Sequence, residues 1–551
     1  MSVTEPVVMS EFAKNIMEQK YSHTLPDGSK ETWENISYRA AKHVMKAVGA
    51  GKELTKRAEA LIRRRAFMPG GRYLYASGRA FHQTQNCLLL RAEDSREGWS
   101  QLMQKATMAL MTGAGIGIDY SDVRAEGKLI RKTGGVATGP IALMQMVNEA
   151  GRGVMQGGSR RSAIWAGLNW NHADIHKFIS LKNWTPAVRQ LKEADYNFPA
   201  TMDGTNISVI LDDLFFKAYR DEKHSLHSHA QSVYWAVIGQ MLKTGEPGFS
   251  VNLGANSRES LRNACTEVTS EDDSDICNLG SINMAQINSL EEMQEAVDTG
   301  IAYLLAGTVY SDVPYAEVDK IRQKNRRLGL GLMGLHEWLL LRGKKYGPDA
   351  ELQKYLEIYA TSTDIAEKYA KQWDLSVPVK TRAIAPTGTI GIVAETTTGM
   401  EPIFCAAYKR RYRKGTDMMA YQYVIDPTAK KLVDKGVNPD HIEDAYTLAE
   451  DVERRVAFQA WLQKYVDHSI SSTINLPEWG SELNNTNTVQ KFGTMLMKYL
   501  PELRGITCYP DGARGGQPLT PVKYSTAIKH TGEVFYEAVD VCDITKAGSC
   551  G

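Results

Sequence analysis

Asn263, Cys265 and Glu267 occupy alternate positions in Asn263-Ala-Cys-Thr-Glu267, and a second thiol, Cys277, follows an acidic loop. In an extended segment alternate side chains project the same way, so an amide, a thiol and a carboxylate would share one face. A helix would scatter them. Thiol chemistry with a carboxylate as acid or base is the first reading. The plain alternative is a strand whose cysteine is a small buried hydrophobe, the usual fate of an unpaired Cys.

Other candidates lie elsewhere in the chain. Pro386-Thr-Gly-Thr-Ile-Gly391 follows a β-rich run over 377–385. A helix starting there would offer amides to a phosphate without needing a lysine, or would be a Thr-capped start with nothing bound. Glycines crowd 113–117, 134–139 and 151–161, either as anion-binding backbone or as tight turns between packed elements. No Walker-A ending and no complete dinucleotide spacing is present. The basic run Lys409-Arg-Arg-Tyr-Arg413 reads as a solvated face. Cys542 and Cys550 stand in the last ten residues, where an exposed tail makes a redox role the better explanation.

Composition bounds the class. The 551 residues are 43% hydrophobic and 23% charged, with formal net charge +1, ordinary for a globular chain able to bury a large core. No global field favours nucleic acid or an anionic membrane, and no apolar run has the length of a span. The start lacks a secretory pattern, so a cytoplasmic protein is expected (host cytoplasm for a viral one). Seven cysteines are too few and too odd in number for a disulfide framework. No Cys-x-x-Cys pair or zinc spacing occurs, so no metal site is expected.

Helical spacing dominates 1–66, then helices and short strands alternate, which indicates an α/β architecture. Strands are expected at 86–90, carrying Cys87, and at 206–213, 470–476 and from 505. Helices are expected at 99–111, up to 242, 289–306, 319–343 (interrupted by glycines), 349–374 and 448–467. The chain divides as a helical region 1–66, a catalytic unit 67–521 and a tail 522–551.

Taken in order, these motifs resemble the catalytic chain of the ribonucleotide reductases. Asn263–Glu267 matches that family's Asn-x-Cys-x-Glu finger loop, and Cys277-Asn-Leu-Gly-Ser-Ile-Asn283 a strand typical of its adenosylcobalamin-dependent branch. Gly157-Gly-Ser-Arg-Arg161, Ala385-Pro-Thr-Gly-Thr-Ile390, Ser472-Thr-Ile-Asn-Leu-Pro477 and Tyr509-Pro-Asp-Gly-Ala-Arg514 extend the match from about residue 60 to the C-terminus. The resemblance implies a ten-stranded α/β barrel with the finger loop through its centre. It implies that Cys265 becomes a thiyl radical, that Glu267 is the base on the 3′-hydroxyl, and that Asn263 holds the sugar hydroxyls. Cys87 and Cys277 would be the reducing pair, reopened by Cys542 and Cys550, which a thioredoxin- or glutaredoxin-like partner would reduce.

By the same resemblance Pro386, Thr387, Gly388, Thr389 and Ile390 hold substrate phosphates, and Asp94 and Arg124 a deoxynucleoside triphosphate effector. No ATP/dATP on–off control is expected, because the first sixty residues run almost directly into the catalytic core. A homodimer is expected. Chains served by a ferritin-like metal subunit relay the radical through two adjacent tyrosines. Here the matching positions are Cys508 and Tyr509, so adenosylcobalamin is the expected source, and a separate radical-generating subunit working through Tyr509 the alternative. A non-catalytic nucleotide-binding paralogue would be expected to lose one of the five site residues. A glycyl-radical type would need a C-terminal motif absent here.

Overall fold

A computed structural model describes residues 8–131, 134–156, 160–194, 198–414, 418–513 and 519–537. Ten strands form the main sheet: β1 (Phe67–Pro69), β2 (Cys87–Arg91), β3 (Gly115–Asp119), β4 (Ile164–Asn169), β5 (Thr205–Asp212), β6 (Gly248–Asn252), β7 (Asp275–Asn283), β8 (Leu328–Met333), β9 (Thr473–Leu476) and β10 (Gly505–Pro510). Their order is β1-β7-β2-β3-β4-β5-β6-β10-β9, with β8 also on β7. β2 to β6 are mutually parallel, as are β7 with β8 and β9 with β10. These groups join through antiparallel pairs, β2 with β7 and β6 with β10.

Residues 380–384 lie between β8 and the segment leading into β9. The Ala383 N–H donates to Leu330 O at 3.1 Å, and the Ser471 N–H donates to Ile384 O at 2.8 Å. Isolated bridges Leu330–Arg382 and Ile384–Ile470 accompany them. Backbone hydrogen bonds thus link strands from opposite ends of the sheet path.

The helices that flank the sheet include α1 (Glu11–Lys20), α2 (Trp33–Lys46), α3 (Lys52–Arg63), α4 (Arg96–Thr112), α5 (His227–Thr244), α6 (Leu290–Tyr310) and α7 (Gly388–Ala394). Local signals start them. Thr32 and Asn35 form a reciprocal capping box on α2, and Ser289 accepts the Glu292 N–H to cap α6. The N-terminal helices share one apolar cluster with α6 and with Ile282, Leu328, Leu330 and Leu332 of the sheet. A second cluster packs α4 and α5 on β2 to β6.

The region 319–343, expected to be helical, instead holds β8 between two short helices. Its glycines serve close packing. A Cβ at Gly329 would stand 2.4 Å from Leu279 Cδ2, and one at Gly331 2.6 Å from the Ala383 carbonyl oxygen. The expected helix 349–374 is two helices, Ala350–Ala360 and Ser362–Gln372. The basic run lies in a strand, Ala407–Lys414, of a separate four-stranded antiparallel sheet, where Lys409 stacks on Tyr421 and Arg410 on Phe12.

Candidate active site

The stretch 263–267 is a turn, not the extended segment expected from its alternation. Leu261–Arg262 pairs antiparallel with Thr269–Ser270, and the chain reverses between them. The Thr266 N–H closes the turn on Asn263 O at 3.1 Å, and Thr266 itself has φ +69°. Asn263 Oδ1 accepts the Val268 N–H at 3.0 Å. The hairpin therefore has a tip, where Cys265 is exposed, and flanks, where Asn263 and Glu267 are buried.

This finger crosses β3 at close range. A Cβ on Gly117 would fall 1.8 Å from the Arg262 carbonyl oxygen, and one on Gly115 would be 3.1 Å from Ala264 Cβ. Gly115 and Gly117 thus make room for the finger on a strand, while Gly113 ends α4 in the left-handed region at φ +93°. They form no anion loop, which corrects one of the two readings of that segment.

Cys87 and Cys277 are direct cross-strand partners where β2 meets β7, and both are free buried thiols. Cross-strand Cα separations of about 4.5–5.5 Å lie inside the range a disulfide spans. Leu261 and Val268 of the finger pack against the pair. Cys87 Sγ points at Glu267 Oε1, 4.0 Å away. Burial first, then the neighbouring Glu267 and Cys277, pushes the Cys87 thiol far above its ordinary range. Burial and Asp275 do the same to Cys277.

Glu267 is fully buried, and burial raises its carboxyl to about 7 against hydrogen bonding from its own backbone and from Asn263. Oε2 of Glu267 has no hydrogen-bond partner. A buried carboxylate oxygen without a donor is costly, so this one stands ready to take a proton.

The base of the finger carries charged groups that lie outside the sequence motifs. Glu259 Oε1 meets Arg327 at 3.2 Å, and Oε2 meets Arg504 at 3.2 Å, Lys380, and the Thr269 hydroxyl at 2.8 Å. Asp275 receives Arg327 Nε at 2.5 Å. Arg262, fully buried, donates to Asn252 Oδ1 at 2.6 Å and to Glu259 O at 2.6 Å. Arg327 precedes β8, Lys380 precedes the 381–384 segment and Arg504 precedes β10, so Glu259 ties the finger to three parts of the wall. A charged residue six positions before Cys265 was the only sequence signal for this.

Pro386 and Thr387 lead into α7, and Gly388, Thr389 and Ile390 open its first turn. Thr387 adopts φ +51° and its Oγ1 accepts the Gly399 N–H at 2.8 Å, while Gly388 is exposed with open space around its Cα. Asp94 and Arg124 face one another, Arg124 Nε to Asp94 Oδ2 being 2.7 Å, in a cleft of about 1220 Å³ also lined by Ser121, Lys128, Asn169 and His172. Tyr509 is half-buried on β10, and Cys508 beside it is buried in the apolar cluster behind the sheet, with its thiol raised to about 12 by burial. Cys542 and Cys550 lie outside the described residues, as does Gly157–Ser159. Among the described residues there is no group of His, Cys, Asp and Glu able to hold a metal ion, and no helix is long and apolar enough to cross a membrane.

The model of the ribonucleotide reductase barrel domain matches residues 85–232, 225–370 and 379–509. The vitamin B12-dependent ribonucleoside-diphosphate reductase of Mycobacterium tuberculosis (strain CDC 1551 / Oshkosh) is 25% identical over 94% of this chain and 82% of its own length. That of Thermoplasma acidophilum is 25% identical over 82% of this chain and 65% of its own length. A putative adenosylcobalamin-dependent ribonucleoside-triphosphate reductase of Mycobacterium phage D29 is 26% identical over 76% and 70%. With finger, thiol pair and buried glutamate all inside the matched segments, the chain belongs to the ribonucleotide reductase family.

Proposed function

We propose that this ribonucleotide reductase chain generates its working radical on Cys265 and takes it from adenosylcobalamin. The observation that carries the reading is the division of exposure at the finger. Cys265 is open to an external radical source, while Cys87, Cys277 and Glu267 are buried. The relatives named as B12-dependent support the same source. Relay from a ferritin-like subunit through Tyr509 is disfavoured, because residue 508 is a cysteine whose side chain packs into the apolar core. When bound, adenosylcobalamin supplies the radical by homolysis of its carbon–cobalt bond.

The Cys265 thiyl takes the hydrogen atom from ribose C3′, and Glu267 accepts the 3′-hydroxyl proton on its unpartnered oxygen. One of the Cys87–Cys277 thiols protonates the departing 2′-hydroxyl, which leaves as water. The pair then closes to a disulfide, giving two electrons to the sugar, and Cys265 returns its hydrogen to C3′. Ribonucleotide plus two thiols becomes deoxyribonucleotide, water and disulfide. High thiol pKa values suit this use, because the donors must hold their protons at neutral pH. Glu267 is sealed behind the tip, so substrate must part the finger from Cys87 to reach it.

Cys542 and Cys550 reopen the disulfide by exchange and pass the electrons from a thioredoxin- or glutaredoxin-like protein. Exposed Gly388 and the first amides of α7 receive substrate phosphates, with Thr387 shaping the turn. The cleft of Asp94 and Arg124 takes a deoxynucleoside triphosphate, and the chain works as a homodimer.

The test is purified chain with ribonucleotides and a dithiol, with and without adenosylcobalamin. Deoxynucleotide is expected only with the corrin, and none from Cys265→Ser. Turnover that needs a second, metal-containing subunit instead would overturn the assignment of the radical source.

A further inference from the structure

One buried carboxylate connects the cleft to the finger. Asp119, the last residue of β3, is 2% exposed. Its Oδ1 accepts the Ser121 N–H at 2.9 Å and the Ser121 hydroxyl at 2.5 Å. Its Oδ2 accepts the Ser260 hydroxyl at 2.6 Å. Ser121 lines the cleft, and its Oγ also accepts the N–H of Asn169, a second cleft residue, at 2.9 Å. Ser260 immediately precedes Leu261, where the finger hairpin begins. Arg91 Nη1 stands 3.8 Å from the same Oδ2, at the end of the strand whose other end bears Cys87.

The two oxygens of Asp119 are thus divided between two regions with different work. A short carboxylate held at both ends cannot follow a change at Ser121 without moving the acceptor of Ser260. Nor can the finger slide freely over β3, because the Arg262 carbonyl sits directly on Gly117. Displacement at the cleft is therefore directed into the root of the hairpin that carries Cys265 and Glu267.

We propose that Asp119 is a positioning residue that couples occupancy of the cleft to the setting of the finger. This rests on the reading of the cleft as a deoxynucleoside triphosphate site. Coupling of this kind is reciprocal, so substrate at the finger must change the affinity of the cleft by the factor that the cleft ligand changes substrate affinity.

The experiment is equilibrium dialysis of each deoxynucleoside triphosphate against the chain, alone and with saturating ribonucleotides, needing neither turnover nor corrin. In the wild type at least one pair is expected to shift Kd by about fivefold or more. Ser260→Ala should bind the deoxynucleotide alone with the wild-type Kd, while the shift falls to within about twofold. Ser260→Thr, which keeps the hydroxyl, should restore it, and Asp119→Asn should weaken it without the loss of the serine. An undiminished shift in Ser260→Ala, or no shift in a wild type that binds deoxynucleotide, overturns the coupling alone. A wild type that binds no deoxynucleotide removes the cleft reading and the coupling together.

Discussion

Glu259 and Glu267 belong to the same finger, eight residues apart, and burial raises the carboxyl of each. Their environments then part. At the root, Lys380, Arg327 and neighbouring cations override burial and hold Glu259 well below the usual carboxylate range. On the flank, no cation among the described residues answers Glu267, and it rises to about 7. The lesson is that burial alone does not mark function. A paired buried charge anchors, and an unpaired one stores a proton-accepting site at the cost of stability.

The largest expected effect breaks the comparison on the flank. Glu267→Gln should lower turnover by about 10²- to 10⁴-fold, the usual worth of a positioned base, in a deoxynucleotide assay. The same variant should be more stable than the wild type. Raising a carboxyl from about 4.5 to about 7 makes its ionisation cost ~3 kcal/mol, at ~1.4 kcal/mol per pH unit. Because the folded pKa is raised, that cost is absent below pH 4.5, grows as pH rises to about 7 and is complete above it. Denaturant unfolding at pH 8 should show Glu267→Gln gaining up to ~3 kcal/mol and at pH 4 almost nothing. A stability equal to wild type at both pH values would refute the unpaired burial.

At the root the sign reverses. Glu259→Gln leaves Lys380, Arg327 and Arg504 without their shared carboxylate and should destabilise by about 3 kcal/mol, measured by urea unfolding at neutral pH. Glu259 has a depressed folded pKa, so its contribution is full above the ordinary carboxylate range and is lost as pH falls below it. A smaller and sharper effect follows for the wild-type rate. With Glu267 titrating near 7, kcat/KM should fall tenfold per unit on the acid side of that value, and this limb should vanish from the residual activity of Glu267→Gln. Cys87 and Cys277, both raised by burial, should add no limb near neutrality.

Much of the site was legible because its chemistry is local. Asn263, Cys265 and Glu267 lie within five residues, and Cys277 opens a short apolar stretch. The conformation joining them is not legible: period-two spacing suits a strand, but the Thr266 turn sets the three groups on the tip and flanks of a hairpin. The glycines of 113–117 and 328–334 were visible but ambiguous, since a missing Cβ serves a loop, a turn or a close crossing equally well. Only the neighbour decides, Arg262 for Gly117 and Ala383 for Gly331.

By itself the sequence determined the inventory: an exposed-or-buried thiol with a carboxylate, a second thiol pair, a phosphate-type turn, and an α/β alternation able to hold them. Tertiary structure alone decided which glutamate is paired, which thiol is open and what joins the cleft to the finger. The physical reason is that pKa, exposure and coupling depend on through-space neighbours. Glu259 meets cations 68, 121 and 245 residues away, and Ser260 meets Asp119 across 141 residues of chain. No local pattern encodes those distances.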